Sequence, residues 1–339
     1  MYKYRKLYPQ QFQRGGLGRR LCSLSLLLFG LLLPVSCKKD QISIRRVSSV
    51  YNEGRGFISK ILFLDDRTGV AVGGSRYAFH EFITTRDGGQ SWHTLREEGG
   101  DHKALYGLGN WKERIFAVGY EGKVYYADAP YDTWNLVQAS NWALFQDLTF
   151  TKANRGYMVM GEGYHAGGIV ELDTMGQVLR TDSFTFELSC IYFQNAGTGF
   201  AGGYGAILKT TDSGRSWELQ NAKGDFFKGI CASDDHNLWA VGFNGSILHS
   251  NDGGANWKKK RNGDNPLLKA YKFRAIAFRD ALTGYIAGDK GVLLKTTDGG
   301  ENWSEFERFT DADLRCLTLQ ANGSVWVGTS TGQLFHIEE

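Results

Sequence analysis

The sequence predicts an all-β fold, a seven-bladed β-propeller of four-stranded antiparallel blades, and three observations carry that prediction. A short apolar segment ending at glycine recurs seven times, as GVAVGG, IFAVGY, GYMVMG, GFAGGY, LWAVGF, GYIAGD and VWVGTS, with anchors Gly73, Gly119, Gly161, Gly203, Gly242, Gly288 and Gly328. The anchors are 39 to 46 residues apart, the length of one four-stranded blade. A turn motif recurs intact four times, reading TRDGGQSW at 85–92, TTDSGRSW at 210–217, SNDGGANW at 250–257 and TTDGGENW at 296–303. Composition agrees: the 339 residues include 44 Gly but 4 Pro. Glycine is thus nearly twice its ordinary share of roughly 7%. With proline this scarce, the excess belongs to tight turns and not to linkers.

Residues 1–36 stand apart from the repeats. Every charge there is basic, from Lys3, Arg5, Lys6, Arg14, Arg19 and Arg20, and an uncharged apolar run of 13 residues follows at 21–33. A bilayer span needs about 20, so this is a secretory signal peptide. The junction PVSCKKD at 34–40 resembles a bacterial lipoprotein processing site, where a small residue precedes the Cys that becomes the lipidated N-terminus. Pro34 stands where that pattern usually has Leu. The resemblance implies lipidation of Cys37, a short tether over 37–41 and a membrane-anchored place in the cell envelope. Plain cleavage and an uncleaved anchor are the alternatives.

Without the leader, the formal charge of +3 becomes about −3, with 33 Lys and Arg against 36 Asp and Glu. An exported, mildly acidic domain is a poor match for nucleic acid. Cys22 leaves with the leader and Cys37 takes the lipid, so Cys190, Cys231 and Cys316 remain. They have no zinc-type spacing and cannot all pair, and they are expected as small buried residues. No metal or cofactor is expected.

The propeller is expected over 42–339. Residues 42–49 alternate like an outer strand but have no blade of their own, while the last repeat stops at 333–337 without an outer strand. The N-terminal strand is therefore expected to complete the last blade, which removes two exposed edges. Third strands are expected at 123–126, 207–210, 247–250, 292–296 and 333–337, short and rich in β-branched or large apolar residues. The turn motif resembles the Asp-box, or bacterial neuraminidase repeat, with Asn256 and Asn302 in place of the usual Ser or Thr. Worn copies lie at 128–134, with an extra residue, and at 173–177, without its Trp. The carboxylates of Asp87, Asp212, Asp252 and Asp298 are read as staples of their own turns, not as catalytic groups. Trp92, Trp217, Trp257 and Trp303 are expected to cover neighbouring strands.

Seven such repeats in one exported chain resemble the photosystem II assembly and stability factor family of β-propellers, and more loosely sialidases, xyloglucanases and the sortilin propeller. The first resemblance covers nearly all of 42–339 and includes the run from a Gly-ended strand into the box at 199–214 and 284–300. It implies an assembly or scaffold role through a basic, arginine-containing patch; photosynthetic function does not follow from it. The residues entering the innermost strands align as Ser59, Lys103, Gln146, Ser189, Lys228, Arg274 and Arg315, four basic and none acidic. They are expected to ring one tunnel mouth, opposite the box turns, where their summed charge would attract an acidic segment. The competing reading is that these cations only keep solvent-exposed strand ends soluble. Longer turns at 75–80, with Arg76 and Tyr77, and at 162–167, with Tyr164 and His165, fall on the same face. Glu162 and His165 lack the nucleophile or orienting partner of a catalytic set. The KKKR run at 258–261 reads as a solvated edge.

The chain is thus expected to be a monomeric, non-catalytic envelope lipoprotein that binds a protein or peptide partner. The alternative is a glycoside hydrolase or carbohydrate-binding protein of the Asp-box class. Against it, the sequence has no F-R-I-P type motif for a sialidase, and it has length for one propeller where xyloglucanase-like enzymes use two.

Overall fold

The computed structural model describes residues 41–51, 55–99, 102–138 and 142–338. The leader, Cys37 and most of the expected tether lie outside the described residues. Among the described residues no helix is long and apolar enough to cross a membrane.

Seven antiparallel sheets of four strands follow one another along the chain. Blade 1 occupies 57–98, blade 2 105–138, blade 3 145–184, blade 4 188–219, blade 5 227–261 and blade 6 273–305. Blade 7 is built from both ends: Leu314–Leu319, Val325–Thr329 and Leu334–Glu338 come from the C-terminus, and Arg46–Tyr51 adds the outer strand. Val47 faces Ile337 and Ser49 faces Phe335 in the closing ladder. The strand starts later than the expected 42. Before it, Ile42 turns to blade 6, where its amide donates to Glu305 O at 3.0 Å and its carbonyl accepts from Glu307 N at 3.0 Å. The N-terminus therefore ties two blades.

The glycine-ended segments are the second strands, and each is almost wholly buried. They contribute the largest buried side chains, among them Phe116, Tyr157, Phe200, Trp239, Tyr285 and Trp326. Burial on both faces explains why these runs are continuously apolar instead of alternating.

The four box turns share one hydrogen-bond pattern. In blade 4, Thr210 Oγ1 donates to Asp212 Oδ1 at 2.8 Å and accepts from Gly214 N at 2.9 Å. The same Oδ1 accepts from Ser216 N at 2.9 Å, and Oδ2 accepts from the Ser216 hydroxyl at 2.7 Å. In the Asn variants the side-chain amide makes that last bond, Asn256 to Asp252 and Asn302 to Asp298, each at 2.8 Å. The replacement costs no contact. The glycine two residues after the Asp of each box has positive φ and lies against an aromatic ring of the preceding blade: Gly89 on Trp326, Gly214 on Tyr157, Gly254 on Phe200 and Gly300 on Trp239. A Cβ there would penetrate the ring. The box Trp packs on the same ring, with centroids 5.8 Å apart for Trp92 and Trp326 and 6.3 Å for Trp303 and Trp239.

The worn copies keep part of this. Asp173 Oδ1 accepts from Met175 N at 2.8 Å and Gln177 N at 2.9 Å, and Gly176 rests more loosely on Phe116. Trp134 stacks on Phe82 of blade 1 with centroids 4.0 Å apart.

Two expectations follow. Deleting residues 46–51 leaves Leu334–Glu338 as a bare edge, and the Tm measured by calorimetry should fall by about 5 °C or more; an unchanged midpoint would mean that the ring does not depend on this strand. The hydroxyl and amide bonds from Ser91 and Ser216 hold the Asp87 and Asp212 carboxyls down at about 2, against 3.8 normally. A depressed carboxylate adds stability above its unfolded pKa and loses it as pH falls through the folded one. Stability should therefore drop between pH 4 and 2, and D212N, less stable at pH 7 by about 1 kcal/mol, should show a flatter profile across that window in denaturant titrations.

Candidate functional site: a basic channel mouth

Each innermost strand carries one β-bulge, at the same place in its ladder with the second strand. The extra residue is Ser59, Tyr106, Gln146, Ser189, Lys228, Arg274 or Arg315, from blade 1 to blade 7. A bulge turns its extra residue out of the regular pairing. All seven of these side chains line a central cavity of about 330 Å³.

Six of the seven expected ring positions are therefore the bulge residues, and blade 2 differs. Its ring residue is Tyr106. Lys103 lies three residues upstream, 3.9 Å from Glu121, and does not line the cavity. The three remaining cations sit on consecutive blades, so the charge forms an arc over blades 5 to 7. The other half carries Ser59, Tyr106, Gln146 and Ser189, and both serines are spent on structure. Ser59 Oγ donates to Leu105 O at 2.6 Å, and Ser189 Oγ to Phe227 O at 2.7 Å, each reaching the next blade.

The arc is not evenly neutralised. Arg274 is paired with Asp289 and stands 3.8 Å from Asp313. Lys228 and Arg315 make no ion pair within 4.0 Å among the described residues; they lie instead on rings, Lys228 Nζ 3.4 Å from the centre of Phe226 and the Arg315 guanidinium 4.1 Å from that of Phe57. Burial, reinforced by the neighbouring arginines, pulls the Lys228 ammonium down to about 8, with Glu187 opposing. The Arg315 guanidinium is likewise lowered by burial and by Arg274. These are cations held short of solvation, a state that a carboxylate ligand would relieve.

One residue deeper, Lys60 of blade 1 donates to Asp147 of blade 3 at 2.7 Å, and the other Asp147 oxygen accepts from Ile191 N at 3.2 Å. Despite the cost of burial, Asp147 keeps Lys60 above its ordinary pKa. Among the described residues, Asp147 is the one carboxylate lining the cavity. Sequence reasoning missed this pair, although both residues directly follow an aligned ring position. Cys190 and Cys316 directly follow their bulges at the same depth and Cys231 lies two residues further along its strand; all three line the cavity as free thiols, and burial pushes each up to about 12. Cys190 and Cys316 are buried as expected, while Cys231 is only half-buried.

The turns of the mouth face supply aromatic rings. Arg76 is paired with Glu162 and sits 5.1 and 5.3 Å from the rings of Tyr77 and Tyr120, joining the turns of blades 1, 2 and 3. Arg76 is thus already engaged. Glu162, the acid half of the imagined acid–base pair, is its partner, and His165 is exposed. Tyr164 packs on Tyr204 with centroids 4.8 Å apart and edge-on to Phe226 at 5.9 Å, next to Lys228. Phe243 takes Lys272 at 4.7 Å and Arg274 at 5.2 Å. Tyr77, Tyr164 and Tyr204 are each at least half exposed. Tyr120, Tyr204 and Phe243 went unread, though each directly follows an anchor glycine. The 258–261 run is an exposed outer strand, except that Arg261 tucks over Tyr271 at 4.8 Å.

Residues 222–311 match a family model described as photosynthesis system II assembly factor YCF48. That match spans blades 5 and 6, two of the three that carry the basic arc. Among solved structures, YCF48 bound to a D1 peptide is similar with a TM-score of 0.69 and 16% identity, over 88% of this chain and 99% of that one. YCF48 from Cyanidioschyzon merolae gives 0.65 and 15%, over 86% and 98%. The WD40 β-propeller domain of Doa1 gives 0.65 at 10% identity, over 87% and 98%, so likeness at this level speaks for the ring alone. No curated protein matches the sequence. The resemblance to the photosystem II assembly factor propellers thus holds in sequence over two blades and in fold over the ring.

The lowered Lys228 pKa has a sign that can be measured. A lysine with folded pKa near 8 and unfolded pKa near 10.5 costs stability at every pH below 8, and the cost fades as pH rises to 10.5. Lys228→Met should raise Tm by a few degrees at pH 7 and by nothing near pH 10.5; equal effects at both would show that the ammonium is not strained.

Proposed function

We propose that the chain is a non-catalytic scaffold of the cell envelope, anchored by lipid at Cys37, whose propeller holds an acidic, extended segment of a partner protein across the channel mouth. One observation carries the reading: Lys228, Arg274 and Arg315 stand side by side on the mouth, two of them without an acidic partner within 4.0 Å among the described residues, beside exposed tyrosines. Carboxylates of a bound segment would complete those ion pairs in a partly desolvated place, where they are worth more than on open surface. Tyrosines add contact area at low entropic cost, as peptide-binding surfaces commonly do. The YCF48 likeness supports a peptide partner, since that protein is described with a D1 peptide bound.

A glycosidase needs two carboxylates about 5 to 10 Å apart across a groove. The cavity lining offers Asp147, already paired with Lys60, which favours binding over hydrolysis.

The test uses the full chain, a fluorescent Glu-rich peptide and its Gln-substituted control. Binding of the acidic peptide should weaken with salt, and R274E/R315E, checked for fold by circular dichroism, should lose it by at least about tenfold, the equivalent of 1.4 kcal/mol. Equal binding of both peptides, or an unaffected double variant, would remove the mouth as the site, and turnover in a glycoside screen would replace scaffolding with catalysis.

A further inference from the structure

A second cluster of chemically capable side chains stands at the seam of blades 1 and 2, outside the channel. His80 lies in the third strand of blade 1, Phe79–Thr85, directly opposite Glu97 in the outer strand, His93–Glu98. His102 arrives from the connection that enters blade 2. His80 Nε2 is 3.0 Å from Glu97 Oε2, and His102 Nδ1 is 3.2 Å from the same oxygen. One donor atom from each residue falls within 4.8 Å of the others. His80 is fully buried, its ring fixed edge-on to Phe82 at 5.1 Å and tilted on Tyr125 at 5.0 Å.

Hydrogen bonding alone does not account for this arrangement. The Nδ1 of His102 is buried and, at 3.2 Å from a carboxylate, still makes no hydrogen bond, because its approach is misaligned. Two imidazole nitrogens set beside one carboxylate oxygen, of which only the His80 nitrogen is hydrogen-bonded to it, match one face of a coordination shell. The two nitrogen–oxygen spacings of 3.0 and 3.2 Å fit as well: zinc bonds of about 2.0–2.1 Å in a tetrahedron place ligand atoms roughly 3.3 Å apart.

We propose that His80, Glu97 and His102 form a binding site for a divalent transition metal of the zinc class, with a fourth position left for water or an incoming group. Two imidazoles with one carboxylate suit zinc, cobalt or nickel and offer too few oxygens for calcium or magnesium. Two ligands come from a strand pair of blade 1 and the third from the lead into blade 2, so a bound ion would clamp adjacent blades. Metal binding would then stabilise the fold by mass action. The site is independent of the proposed peptide function, since it shares no residue with the channel mouth.

The test is titration of the full chain, untagged and stripped with chelator, with zinc by calorimetry and with cobalt by visible absorption. One equivalent of zinc should bind and raise Tm, cobalt should give the intense visible bands of a tetrahedral site, and magnesium or calcium should do neither. Glu97→Gln and His102→Ala change half-exposed side chains, and each should weaken zinc binding by about 10-fold or more, with unchanged near-ultraviolet circular dichroism in the metal-free form. Absence of saturable zinc binding in the parent chain would overturn the site, as would undiminished binding in both variants or equal binding of magnesium. Should one variant fail to fold, the other decides by the same measurement.

Discussion

The ring depends on a steric constraint at four of its seven blade seams: there one blade approaches the next where a glycine lets an aromatic ring into the space a Cβ would fill. Gly89, Gly214, Gly254 and Gly300 admit Trp326, Tyr157, Phe200 and Trp239 in this way. The hydroxyl and carboxylate of each box hold the glycine at positive φ, and the box Trp closes over the same ring. Three roles that could be confused with chemistry are therefore parts of one joint. Where the box is worn, the joint is improvised, by Gly176 on Phe116 or by Trp134 stacked on Phe82. Repeating a joint of fixed geometry at successive seams is what allows the inner strands to converge on a common axis and bring distant residues to one mouth.

The charge on that axis is sorted by depth. Deeper in the channel Lys60 and Asp147 neutralise one another across two blades, while at the rim the cations collect on one side. A chain with a slight acidic excess in its exported part thus presents a local positive arc, bordered by rings that accept cations on their faces. The same rings that hold Lys228 and Arg274 in place leave neighbouring tyrosines exposed, so the surface is both polarised and adhesive.

Much of this was legible in the sequence because it repeats. The Gly-ended segments located the second strands of all blades, and the unpaired first and last segments implied their union in blade 7. Lys103 was misplaced because the link into blade 2 differs in length, and the true ring position is marked by a backbone bulge that no residue type announces. Tyr106 consequently went unseen. The Lys60–Asp147 pair follows from the alignment only once bulging is known to turn two successive residues inward. His80 and Glu97 are 17 positions apart and meet through hairpin register, while His102 joins them across a seam; spacing rules built on cysteine motifs do not reach such a set. The N-terminal strand was found, but not its second attachment, since the pairing of Ile42 with blade 6 uses only backbone groups.

The union of the two chain ends in blade 7 also bears on how the molecule reaches its folded state. Six blades are each made of contiguous sequence and can form as local units, but Arg46–Tyr51 has its partner at Leu334–Glu338, almost the whole chain away. Such distant pairing is slow to find. The strand synthesised early must wait for Leu334–Glu338 to arrive, so closure reports that synthesis has passed the seventh blade. A chain cut short in its final repeat would keep most of its blades and still present an unsatisfied edge, the feature by which a truncated product is recognised, degraded or drawn into aggregates.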